Sequence, residues 1–241
     1  MTVIKEMLQA VGVSQTDIVL LHSDTSQFMD VYTDITTDLI QSVGTLVVPT
    51  FNYNFSTYGT PYNHATTPSQ VGLYTNYLLH SNLGFRSFHP VFSVYAFGRQ
   101  AYLYGSCTVK DAFGKNSVFD WLYEENAKIV MLNVPATFMT FCHYVEQSLN
   151  VWYRYKKYFT GQVSNENDTW IDTFPLYVRD LKHDVRTNLS PFLDRLEKCG
   201  IMRRFEINPQ MYMLSISCRD LFDTLRCELV QNPNAIITYK E

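Results

Sequence analysis

One stretch, "TFMTFCHYVEQ" from Thr137 to Gln147, places an imidazole and a carboxylate three residues apart in an otherwise apolar run. On a helix, positions three residues apart share one face, so Thr140, His143 and Glu146 would point into a common cleft. Glu146 can then accept the N–H of the His143 ring, fix its tautomer and increase the basicity of the second nitrogen. The Thr140 hydroxyl can donate to an oxyanion that forms nearby. This set can deprotonate an amine or a hydroxyl and stabilise an acyl-transfer intermediate; a structural salt link fits the same spacing.

Two other candidate groups are weighed beside this pair. Cys142 suggests a cysteine nucleophile, but neighbouring residues on a helix point about 100° apart, so Cys142 and His143 share a proton poorly. We therefore interpret Cys142 as a small core residue. His22, at the end of a strand, fits either a site-lining or a core role. No set of His, Cys, Asp and Glu has the spacing of metal ligands, and no metal is expected.

The elements that must hold these residues follow an α/β order. Ile4, Met7, Leu8 and Val11 recur at helical spacing before Gly12. "DIVLLHS" and "SVGTLVVPTFNY" each contain a short buried strand, and the helical pattern "TDITTDLIQSV" between them favours parallel pairing. "FSVYAFG" and "AKIVMLNVP" predict further strands. The predicted fold class is α/β, with a mixed, partly parallel sheet flanked by helices and a smaller C-terminal α+β portion.

Three later helices are predicted from their capping residues. Ser190 is the expected cap of one helix, which Gly200 ends, and Ser217 is the expected cap of the next. A third helix, in "TPSQVGLYTNYLLHS", is expected to have Thr67 or Ser69 near its start.

The pattern changes at about Gly161, where "QVSNENDTWIDTFPLYVRDL" alternates as in a β-hairpin. We divide the chain there into two parts. Residues 1–160 are expected to form the larger α/β core, and residues 161–241 a smaller portion that does not fold on its own.

The composition excludes several classes of function. A hydrophobic fraction of 46%, a charged fraction of 17% and a net charge of −4 indicate a soluble globular protein without nucleic acid or anionic membrane as its main partner. No run approaches the roughly 18 uncharged apolar residues of a membrane span. The five cysteines lack CxxC spacing and the N-terminus has no signal-peptide core, so we expect reduced thiols and a cytoplasmic location. Association into a homo-oligomer is left open.

A second stretch, "TPSQVGLYTNYLLHSNLGFRSFHPVFSVYAFGRQA", resembles the antibiotic N-acetyltransferase family, whose best-known members are the aminoglycoside 3-N-acetyltransferases. The family pattern runs T-P-S-x-M-G, then P-G-x-x-R-S-x-H-P-x-x-S, then a small residue, x-G and x-x-A. Its order holds over 35 residues, and its spacing holds except between Gly84 and Arg86, where one residue stands instead of two. The matching positions are Thr67, Pro68, Ser69, Gly72, Gly84, Arg86, Ser87, His89, Pro90, Ser93, Gly98 and Ala101.

Other segments resemble the family in the same order. "VLLHSDTS", "GTLVVPTF" and "FGKNSVFDWLYEENAKIVMLNV" are similar to its His-Ser strand, its Gly-Thr-Leu strand and its G-x-x-S segment. The opening stretch is similar to N-T-S-L-H-x-x-E, with Thr140, His143 and Glu146 matching. The resemblance covers about residues 5–160. It implies an acetyl-CoA-dependent transfer of an acyl group to an amine on a sugar-like acceptor. It also implies that residues 1–160 form the acetyl-CoA-binding and catalytic core and that residues 161–241 contribute to the acceptor site.

The resemblance also implies roles for individual residues. His143 would take the proton from the attacking amine, Glu146 would orient His143, and Thr140 would lie near the thioester carbonyl. The residues implied on the cofactor side are Ser23, Asp24, Thr25, Gly114 and Ser117. Three residues of the second stretch fit either a CoA contact or hydrogen bonds within a rigid turn, and we count them as cofactor-side candidates: Arg86, Ser87 and His89.

The sequence departs from the family pattern at two of these places. No glycine follows the His-Ser pair, and Asp24 stands there as a charge that can repel a phosphate. Val118 replaces the proline that usually follows the serine of the G-x-x-S segment. The charge of Asp24 predicts that the pyrophosphate contact lies at a different place in this chain.

The acceptor is inferred from the loop "TFNYNFSTYGTPYNH". Aromatic faces and amides suit a sugar ring with several hydroxyls, so Tyr53 and Asn54 are candidate contacts. A polycationic aminoglycoside needs an acidic pocket, and the chain has few acidic clusters. We therefore expect an amino sugar, in a nucleotide-linked form used in bacterial surface-polysaccharide assembly, with Arg154 available for the diphosphate.

Three alternatives stay open at this point. The first keeps the enzyme class and makes an aminoglycoside antibiotic the acceptor. The second is a binding protein of the same fold that has lost catalysis and acetyl-CoA affinity. The third is a hydrolase that uses Cys142 as its nucleophile.

Overall fold

The computed structural model describes residues 2–26 and 32–239. Runs of aliphatic and β-branched residues form its strands. Within these residues the strands, in chain order, are β1 Ile18–Ser23, β2 Thr45–Pro49, β3 Tyr62–Asn63, β4 Phe85–Arg86, β5 Val94–Gly98, β6 Lys128–Leu132, β7 Arg154–Ser164, β8 Thr169–Arg179, β9 Val185–Thr187, β10 Arg203–Asn208, β11 Met211–Ser217 and β12 Ile237–Tyr239.

The helices of the described residues lie between these strands and carry the apolar faces that cover the sheet. They are α1 Val3–Ala10, α2 Tyr32–Ser42, α3 Asn54–Tyr58, α4 Leu73–Leu79, α5 Ala101–Gly105, α6 Val118–Glu124, α7 Cys142–Ser148, α8 Ser190–Lys198 and α9 Cys218–Gln231. None of these described helices is long and apolar enough to cross a membrane.

Seven strands form one mixed sheet in the order β10, β11, β6, β1, β2, β5, β4. The three central strands are parallel, with Leu20 of β1 opposite Val47 of β2 and Ile129 of β6. The outer strands pair antiparallel on both sides. The prediction of a mixed, partly parallel sheet flanked by helices is confirmed, including the α2 crossover between β1 and β2.

Side chains of the central strands alternate between two hydrophobic layers. Val19 and Leu21 pack with α1, α2 and α4, whereas Leu20 packs with the layer that contains α5 to α9. Each of these three side chains is 0–1% exposed. Burying one such side chain contributes roughly 1.5–3 kcal/mol, so the sheet is held from both faces.

The prediction for the cap of α9 is confirmed and the one for α8 is wrong. The Ser217 hydroxyl accepts the backbone N–H of Asp220 at 3.1 Å. Ser190 is instead the first residue of α8, and the capping position falls on Leu189, which has no side-chain capping bond. Gly200 follows this helix with a φ of +74°, a left-handed conformation that glycine adopts without a steric cost.

The prediction for the start of α4 is also wrong, because α4 is preceded directly by Gly72. The two expected caps are used in turns before the helix. The Thr67 hydroxyl accepts the N–H of Asn63 at 2.9 Å, and the Ser69 hydroxyl accepts the N–H of Val71 at 3.2 Å. Short polar side chains often satisfy nearby backbone groups in this way instead of capping a helix.

The C-terminal part of the chain contributes to more than one sheet. β7 and β8 form the long hairpin that was predicted, and β3 pairs with β7 to complete a three-stranded sheet. β10 and β11 belong to the central sheet through the pairing of β11 with β6. The division after residue 160 falls within β7 and stays a prediction.

Candidate active site

A cavity of about 470 Å³ lies at the carboxyl ends of the parallel strands β1, β2 and β6. Loops that follow neighbouring strands meet at this edge, and open α/β sheets bind their ligands there. Aliphatic and aromatic side chains, hydroxyls, one amide and two imidazoles form the walls. The lining residues are Leu21, His22, Ser23, Pro49, Phe51, Tyr53, Gln70, Val71, Thr75, Val134, Thr137, Phe138, Met139, Thr140, His143, Thr187 and Leu189.

His143 and Glu146 form the pair that the sequence predicted. The His143 Nδ1 lies 2.6 Å from Glu146 Oε2, and the His143 side chain is 31% exposed whereas that of Glu146 is 0% exposed. A carboxylate can only accept a hydrogen bond, so Nδ1 carries the proton of the neutral ring. The second nitrogen, Nε2, is therefore left with a free lone pair on a side chain that lines the cavity.

Glu146 is held from behind by two residues at the start of β7. The Tyr153 hydroxyl donates to Glu146 Oε1 at 3.0 Å, and the Arg154 Nε forms an ion pair with Oε2 at 2.9 Å. Burial alone would raise the pKa of Glu146, but the hydrogen bond from His143 and the charge of Arg154 outweigh it and hold the pKa below its usual value. Glu146 is thus an ionised carboxylate in a dry environment.

Thr140 lies just before the helix rather than on it, since α7 begins at Cys142. The expectation of three residues on one helical face is therefore wrong for Thr140. Its carbonyl accepts the backbone N–H of His143 at 2.9 Å, and the residue lines the same cavity. The turn brings Thr140 and His143 together by a different geometry from the predicted one.

Cys142 is a core residue. Its side chain is 1% exposed and packs in the layer that contains α6 and α9. Burial, followed by the charge of Glu146, raises the pKa of the thiol well above its usual value. A thiol in this environment does not ionise readily and is a poor nucleophile.

His22 lines the cavity, which decides between its two predicted roles. Among the described residues its Nε2 is enclosed without a hydrogen-bond partner. Burial lowers the pKa of His22 to about 4, so the ring is neutral at physiological pH. It contributes a second uncharged imidazole to the wall.

Of the three predicted cofactor residues at the end of β1, one lines the cavity, and the other two come after the strand and do not line it. Ser23 lines the cavity. Asp24 is exposed and accepts the backbone N–H of Ser26 at 3.0 Å, while the buried Thr25 donates to the Tyr32 hydroxyl at 3.4 Å.

The structure does not bring Arg86 to the cavity. Arg86 is 9% exposed, and its guanidinium donates to the Ser93 hydroxyl and to the backbone carbonyls of His64, Thr67 and Thr50, at distances between 2.6 and 3.3 Å. The side chain thereby links the loop after β2 to the loop before α4. In this geometry Arg86 stabilises the backbone of these loops and does not contact a ligand in the cavity.

His89 and Ser87 also lie away from the cavity, in the same buried turn. His89 is 4% exposed, its Nδ1 accepts the N–H groups of Val91 and Phe92 at 3.1 and 2.8 Å, and its Nε2 contacts the Lys110 carbonyl at 3.2 Å. The Ser87 hydroxyl accepts the Val94 N–H at 2.9 Å. Both ring nitrogens of His89 are thus occupied by backbone.

Gly114 and Ser117 surround the start of α6 rather than the cavity. Ser117 caps this helix by accepting the Asp120 N–H at 3.2 Å and is 1% exposed. A Cβ on Gly114 would lie 2.8 Å from the Asp111 carboxylate, so the glycine permits that close approach. Neither residue lines the cavity that contains His143.

Of the three predicted acceptor residues, only one lines the cavity. Tyr53 lines the cavity, whereas Asn54 acts through Gln70, whose amide donates to Asn54 Oδ1 at 2.8 Å. The Gln70 carbonyl oxygen accepts the Tyr53 N–H at 2.7 Å. Arg154 points at Glu146 and does not line this cavity.

Several lining residues were missed from the sequence. Gln70 stands inside the stretch that resembles the family but at a variable position of the pattern. Thr187 and Leu189 come from beyond residue 160, where the resemblance is weak, and no local pattern marks them. Only the three-dimensional arrangement reveals these two.

An α/β fold with an imidazole that faces a cavity at the strand ends, and a buried carboxylate behind it, is suited to acid–base catalysis such as group transfer. The sequence model of the family described as Aminoglycoside 3-N-acetyltransferase matches residues 20–229. The chain belongs to this family, and it is an acetyl-CoA-dependent N-acetyltransferase. The predictions of an acyltransferase and of acetyl-CoA as its cosubstrate are confirmed.

Solved structures share the fold at low sequence identity. AAC-IIIb in its binary complex with CoASH aligns with a TM-score of 0.79 and 16% identity, covering 95% of each chain. The aminoglycoside acetyltransferase AAC(3)-Xa aligns with a TM-score of 0.81 and 17% identity, covering 97% of this chain and 92% of that one. A histidine-to-alanine mutant of AAC(3)-IVa in complex with apramycin aligns with a TM-score of 0.74 and 17% identity, covering 96% and 92%. No curated protein sequence matches the chain.

The family match corrects the expected acceptor. The expectation of a nucleotide-linked amino sugar in polysaccharide assembly finds no support in these comparisons, which favour the aminoglycoside alternative. Among the described residues no group of three His, Cys, Asp or Glu side chains is placed to hold a metal ion.

Proposed function

We propose that the protein transfers the acetyl group of acetyl-CoA to an amino group of an aminoglycoside, with His143 as the general base. The observation that carries the proposal is the His143–Glu146 pair, which leaves one imidazole nitrogen free on a wall of the cavity. A base must have its lone pair within reach of the amine that it deprotonates. Among the residues that line this cavity, His143 combines that access with a carboxylate partner.

The pair would act on the amine as it attacks the thioester carbonyl. His143 Nε2 takes a proton from the amine while the C–N bond forms, and Glu146 stabilises the imidazolium that results. As the C–S bond breaks, the imidazolium returns this proton to the sulfur of CoA. Tyr153 and Arg154 keep Glu146 ionised and fixed through the cycle.

Hydroxyl and amide groups of the cavity suit the other parts of the reaction. Thr140 lies beside His143 in the wall and can donate to the oxygen of the tetrahedral intermediate. Ser23, the last residue of β1, lines the cavity and can contact an amide of the pantetheine arm. The aliphatic side chains around them exclude water, which strengthens both electrostatic contacts.

The acceptor part of the proposal is supported by the family match and by polar groups suited to a sugar. Tyr53 and Gln70 offer a ring face, a hydroxyl and an amide to a ring with several hydroxyls. Asp24 is exposed directly after the lining residue Ser23. Its negative charge repels a phosphate and would attract an ammonium group of an acceptor that extends beyond the cavity.

The test is an acetylation assay with two sets of acceptors. The enzyme and acetyl-CoA are incubated with kanamycin- and gentamicin-type aminoglycosides and, separately, with amino-sugar nucleotides, and products are detected by mass spectrometry and by release of free CoA thiol. We expect singly acetylated aminoglycosides that are lost in His143→Ala. Turnover of the nucleotide sugars alone would overturn the proposed acceptor. Absence of transfer to any amine would overturn the proposed function.

A further inference from the structure

Arg154 and His143 both contact one oxygen of the same buried carboxylate. The His143 Nδ1 lies 2.6 Å from Glu146 Oε2, and the Arg154 Nε lies 2.9 Å from that same oxygen. The other oxygen of Glu146, Oε1, accepts the Tyr153 hydroxyl at 3.0 Å. A single oxygen atom thus separates the imidazole ring from the guanidinium. A protonated His143 would therefore place two positive charges on one side of a carboxylate that is 0% exposed.

The contact of Arg154 with Glu146 acts through charge more than through a directed hydrogen bond. Among the described residues the Arg154 Nε has no aligned hydrogen-bond partner, although it lies at ion-pair distance from Glu146. Its terminal nitrogens have only long contacts, both of 3.5 Å, to the Tyr177 carbonyl and the Thr187 hydroxyl. The side chain is 10% exposed, so solvent screens its charge only weakly. Arg154 is in effect a fixed positive charge behind the catalytic pair.

The two charges beside His143 act on its protonation in opposite directions. The Glu146 carboxylate favours the imidazolium because it is negative and accepts the Nδ1 proton. The Arg154 guanidinium disfavours the imidazolium because like charges repel across a short distance in a dry region. Against burial, which raises it, the hydrogen bond from His143 and the charge of Arg154 hold the pKa of Glu146 below its usual value. The ring is therefore a weaker base with Arg154 in place than it would be beside Glu146 alone.

The buried titratable groups that surround the pair add no charge to this balance. Burial lowers the pKa of His22, across the cavity, to about 4. Burial raises the pKa of the thiols and of the tyrosine hydroxyls around α7 above their usual values; these groups are Cys142, Cys218, Tyr53, Tyr144, Tyr153 and Tyr177. All of them are uncharged in the pH range where an imidazole titrates.

The charged groups behind the pair have partners of their own, with contacts of 2.7–3.2 Å: Lys156 with Asp111, and Lys115 with Asp120 and Glu124. Tyr155 stands on the same wall as these lysines and is 45% exposed. Arg179 lies opposite Arg154 in the register of β7 and β8, and its positive charge acts on His143 in the same direction. Arg154 differs from all of these groups because its partner is the carboxylate that orients the base.

We propose that Arg154 is a positioning residue that keeps His143 unprotonated before the acceptor amine arrives, because it shares one oxygen of Glu146 with the ring. The inference rests on the proposed function, in which His143 takes a proton from the amine and returns it to the sulfur of CoA. Beside Glu146 alone, the ring would be protonated over a wider pH range, and a protonated ring cannot accept the proton of the amine. It would also return the proton less readily, since a stronger base is a weaker conjugate acid.

The experiment follows the His143 ring directly in the enzyme without substrates. The six histidines of the chain are isotope-labelled, and their ring resonances are followed by NMR from about pH 5 to about pH 9. The His143 resonance is the one that is missing in His143→Gln. Wild type is compared with Arg154→Gln, which removes the charge, and with Arg154→Lys, which keeps it. The control is Lys156→Gln, on the same strand, which loses the same charge from a pair with Asp111.

In Arg154→Gln we expect the midpoint of the His143 titration to move upward by roughly one pH unit, the scale of one nearby charge. Arg154→Lys and Lys156→Gln should titrate as wild type does. A midpoint that stays in place or moves downward in Arg154→Gln would overturn the proposal. An equal upward shift in Arg154→Lys or in Lys156→Gln would also overturn it, because the charge at this position would then not be the cause.

A second pair of variants avoids an unpaired buried carboxylate, in case Arg154→Gln does not fold. In Glu146→Gln the carboxylate is absent and Arg154 remains, whereas Glu146→Gln/Arg154→Gln lacks both charges. Repulsion by Arg154 predicts that the His143 midpoint lies higher in the double variant than in Glu146→Gln. Equal midpoints in these two proteins would overturn the proposal. Circular dichroism and urea unfolding show which variants are folded.

The pH dependence of kcat/KM tests the same assignment during acetyl transfer. The acidic limb of the profile should move upward in Arg154→Gln, while kcat/KM on the alkaline plateau stays at the wild-type level. Titration of the acceptor amine is the same for every variant, so it cancels in the comparison. A purely structural role would instead lower kcat/KM by one factor at every pH and leave the limb in place.

The two measurements separate this inference from the proposed function. An upward NMR shift in Arg154→Gln supports the role of Arg154 even where no amine is acetylated, an outcome that would overturn the proposed function alone. Acetyl transfer by wild type without any NMR shift in Arg154→Gln would overturn the role of Arg154 alone.

Discussion

His143 and His89 stand in two segments that resemble the same family, yet their surroundings differ in one decisive respect. Each ring has one nitrogen held at hydrogen-bond distance, by the Glu146 carboxylate for His143 and by the Lys110 carbonyl for His89. The other nitrogen of His89 is occupied by two backbone N–H groups, and the ring is 4% exposed. The other nitrogen of His143 is free on a side chain that is 31% exposed in a cavity.

The two family segments therefore meet two distinct requirements of one fold. The segment around His89 fixes the loops that shape the active-site edge, and the segment around His143 presents a base to that edge. Arg86 and Glu146 extend the contrast. Arg86 places a buried cation among backbone carbonyls, whereas Glu146 places a buried carboxylate behind a reactive ring. The following changes should separate a loss of chemistry from a loss of stability.

The largest effect is expected for His143→Ala. Removing a general base lowers kcat by about 10²–10⁴-fold. The unfolding free energy should stay near that of wild type, because the side chain is partly exposed and faces a cavity. Initial rates of acetyl transfer and urea unfolding of the same preparation test both statements. A loss of activity below about tenfold would show that the base is assigned wrongly.

Glu146→Gln should lower kcat by about 10²-fold while preserving the shape of the side chain. The neutral amide cannot stabilise the imidazolium, and it leaves Arg154 without its negative partner. The control is Glu228→Gln, which breaks the more exposed pair with Arg195 and should leave kcat unchanged. An equal kcat for Glu146→Gln and wild type would show that Glu146 has no role in the proposed mechanism.

Arg86→Ala should act on stability instead of chemistry. It removes donors from three backbone carbonyls and a hydroxyl in a buried turn. With about 1 kcal/mol for each such bond, the unfolding free energy should fall by roughly 3–4 kcal/mol. Denaturant unfolding measures this free energy. The control is Arg195→Ala, at a half-exposed arginine. Weaker CoA binding by a fully folded Arg86→Ala protein would instead show that Arg86 contacts the cosubstrate.

Acidification should destabilise the protein through His89. Burial lowers the pKa of His89 to about 4, so below the ordinary value of 6.5 the unfolded chain takes up a proton that the folded chain refuses. Stability is therefore full above pH 6.5 and is lost as the pH falls towards 4. The shift corresponds to roughly 3 kcal/mol for this one ring. Urea unfolding across this range, in wild type and His89→Asn, should give a shallower dependence on pH in the variant.

Other histidines also titrate between pH 4 and 6.5, so replacing His89 removes only part of the dependence of stability on pH. Burial also lowers the pKa of His22 and of His64 to about 4. His89→Asn should therefore reduce the dependence on pH without abolishing it. An identical dependence in the variant and in wild type would mean that His89 accepts a proton in the folded state.

The smallest effect is expected for thiol alkylation. Cys199 and Cys227 are exposed and should react, whereas Cys142 is buried in the core with a raised pKa. Acetyl transfer should continue at the wild-type rate after the exposed thiols are modified. Rapid inactivation that is abolished in Cys142→Ala would favour the cysteine hydrolase over the acetyltransferase.

The sequence was sufficient for the architecture because local patterns determined it. Val19, Leu20 and Leu21 alternate between two layers, and Gly12 and Gly200 end helices in left-handed conformations. The pair of His143 and Glu146 was equally visible, since both residues lie within one helix. The start of α4 was predicted wrongly because Thr67 and Ser69 satisfy nearby turns, a competition that spacing alone does not reveal. The cap of α8 was misplaced by one residue, since Ser190 is the first residue of that helix.

The extent of the site was less predictable than its centre. Arg86 and His89 match the family as well as His143 does, but whether a ring nitrogen is free depends on backbone groups that approach from other loops. Arg154 was assigned to a ligand because it is basic, while its partner Glu146 is brought to it by tertiary packing. Thr187 and Leu189 reach the cavity from a part of the chain without a recognisable motif.

The position of Thr187 and Leu189 has a consequence for the order in which the enzyme is made. A ribosome releases the chain from its N-terminus, so His143, Glu146 and the strands beneath them emerge before the residues that complete the cavity wall. β11, which pairs with β6 beside the first-made parallel strands, emerges later still. A nascent chain therefore carries its base before it has an enclosed cavity, and acetyl transfer should begin only when the last third has been synthesised and docked.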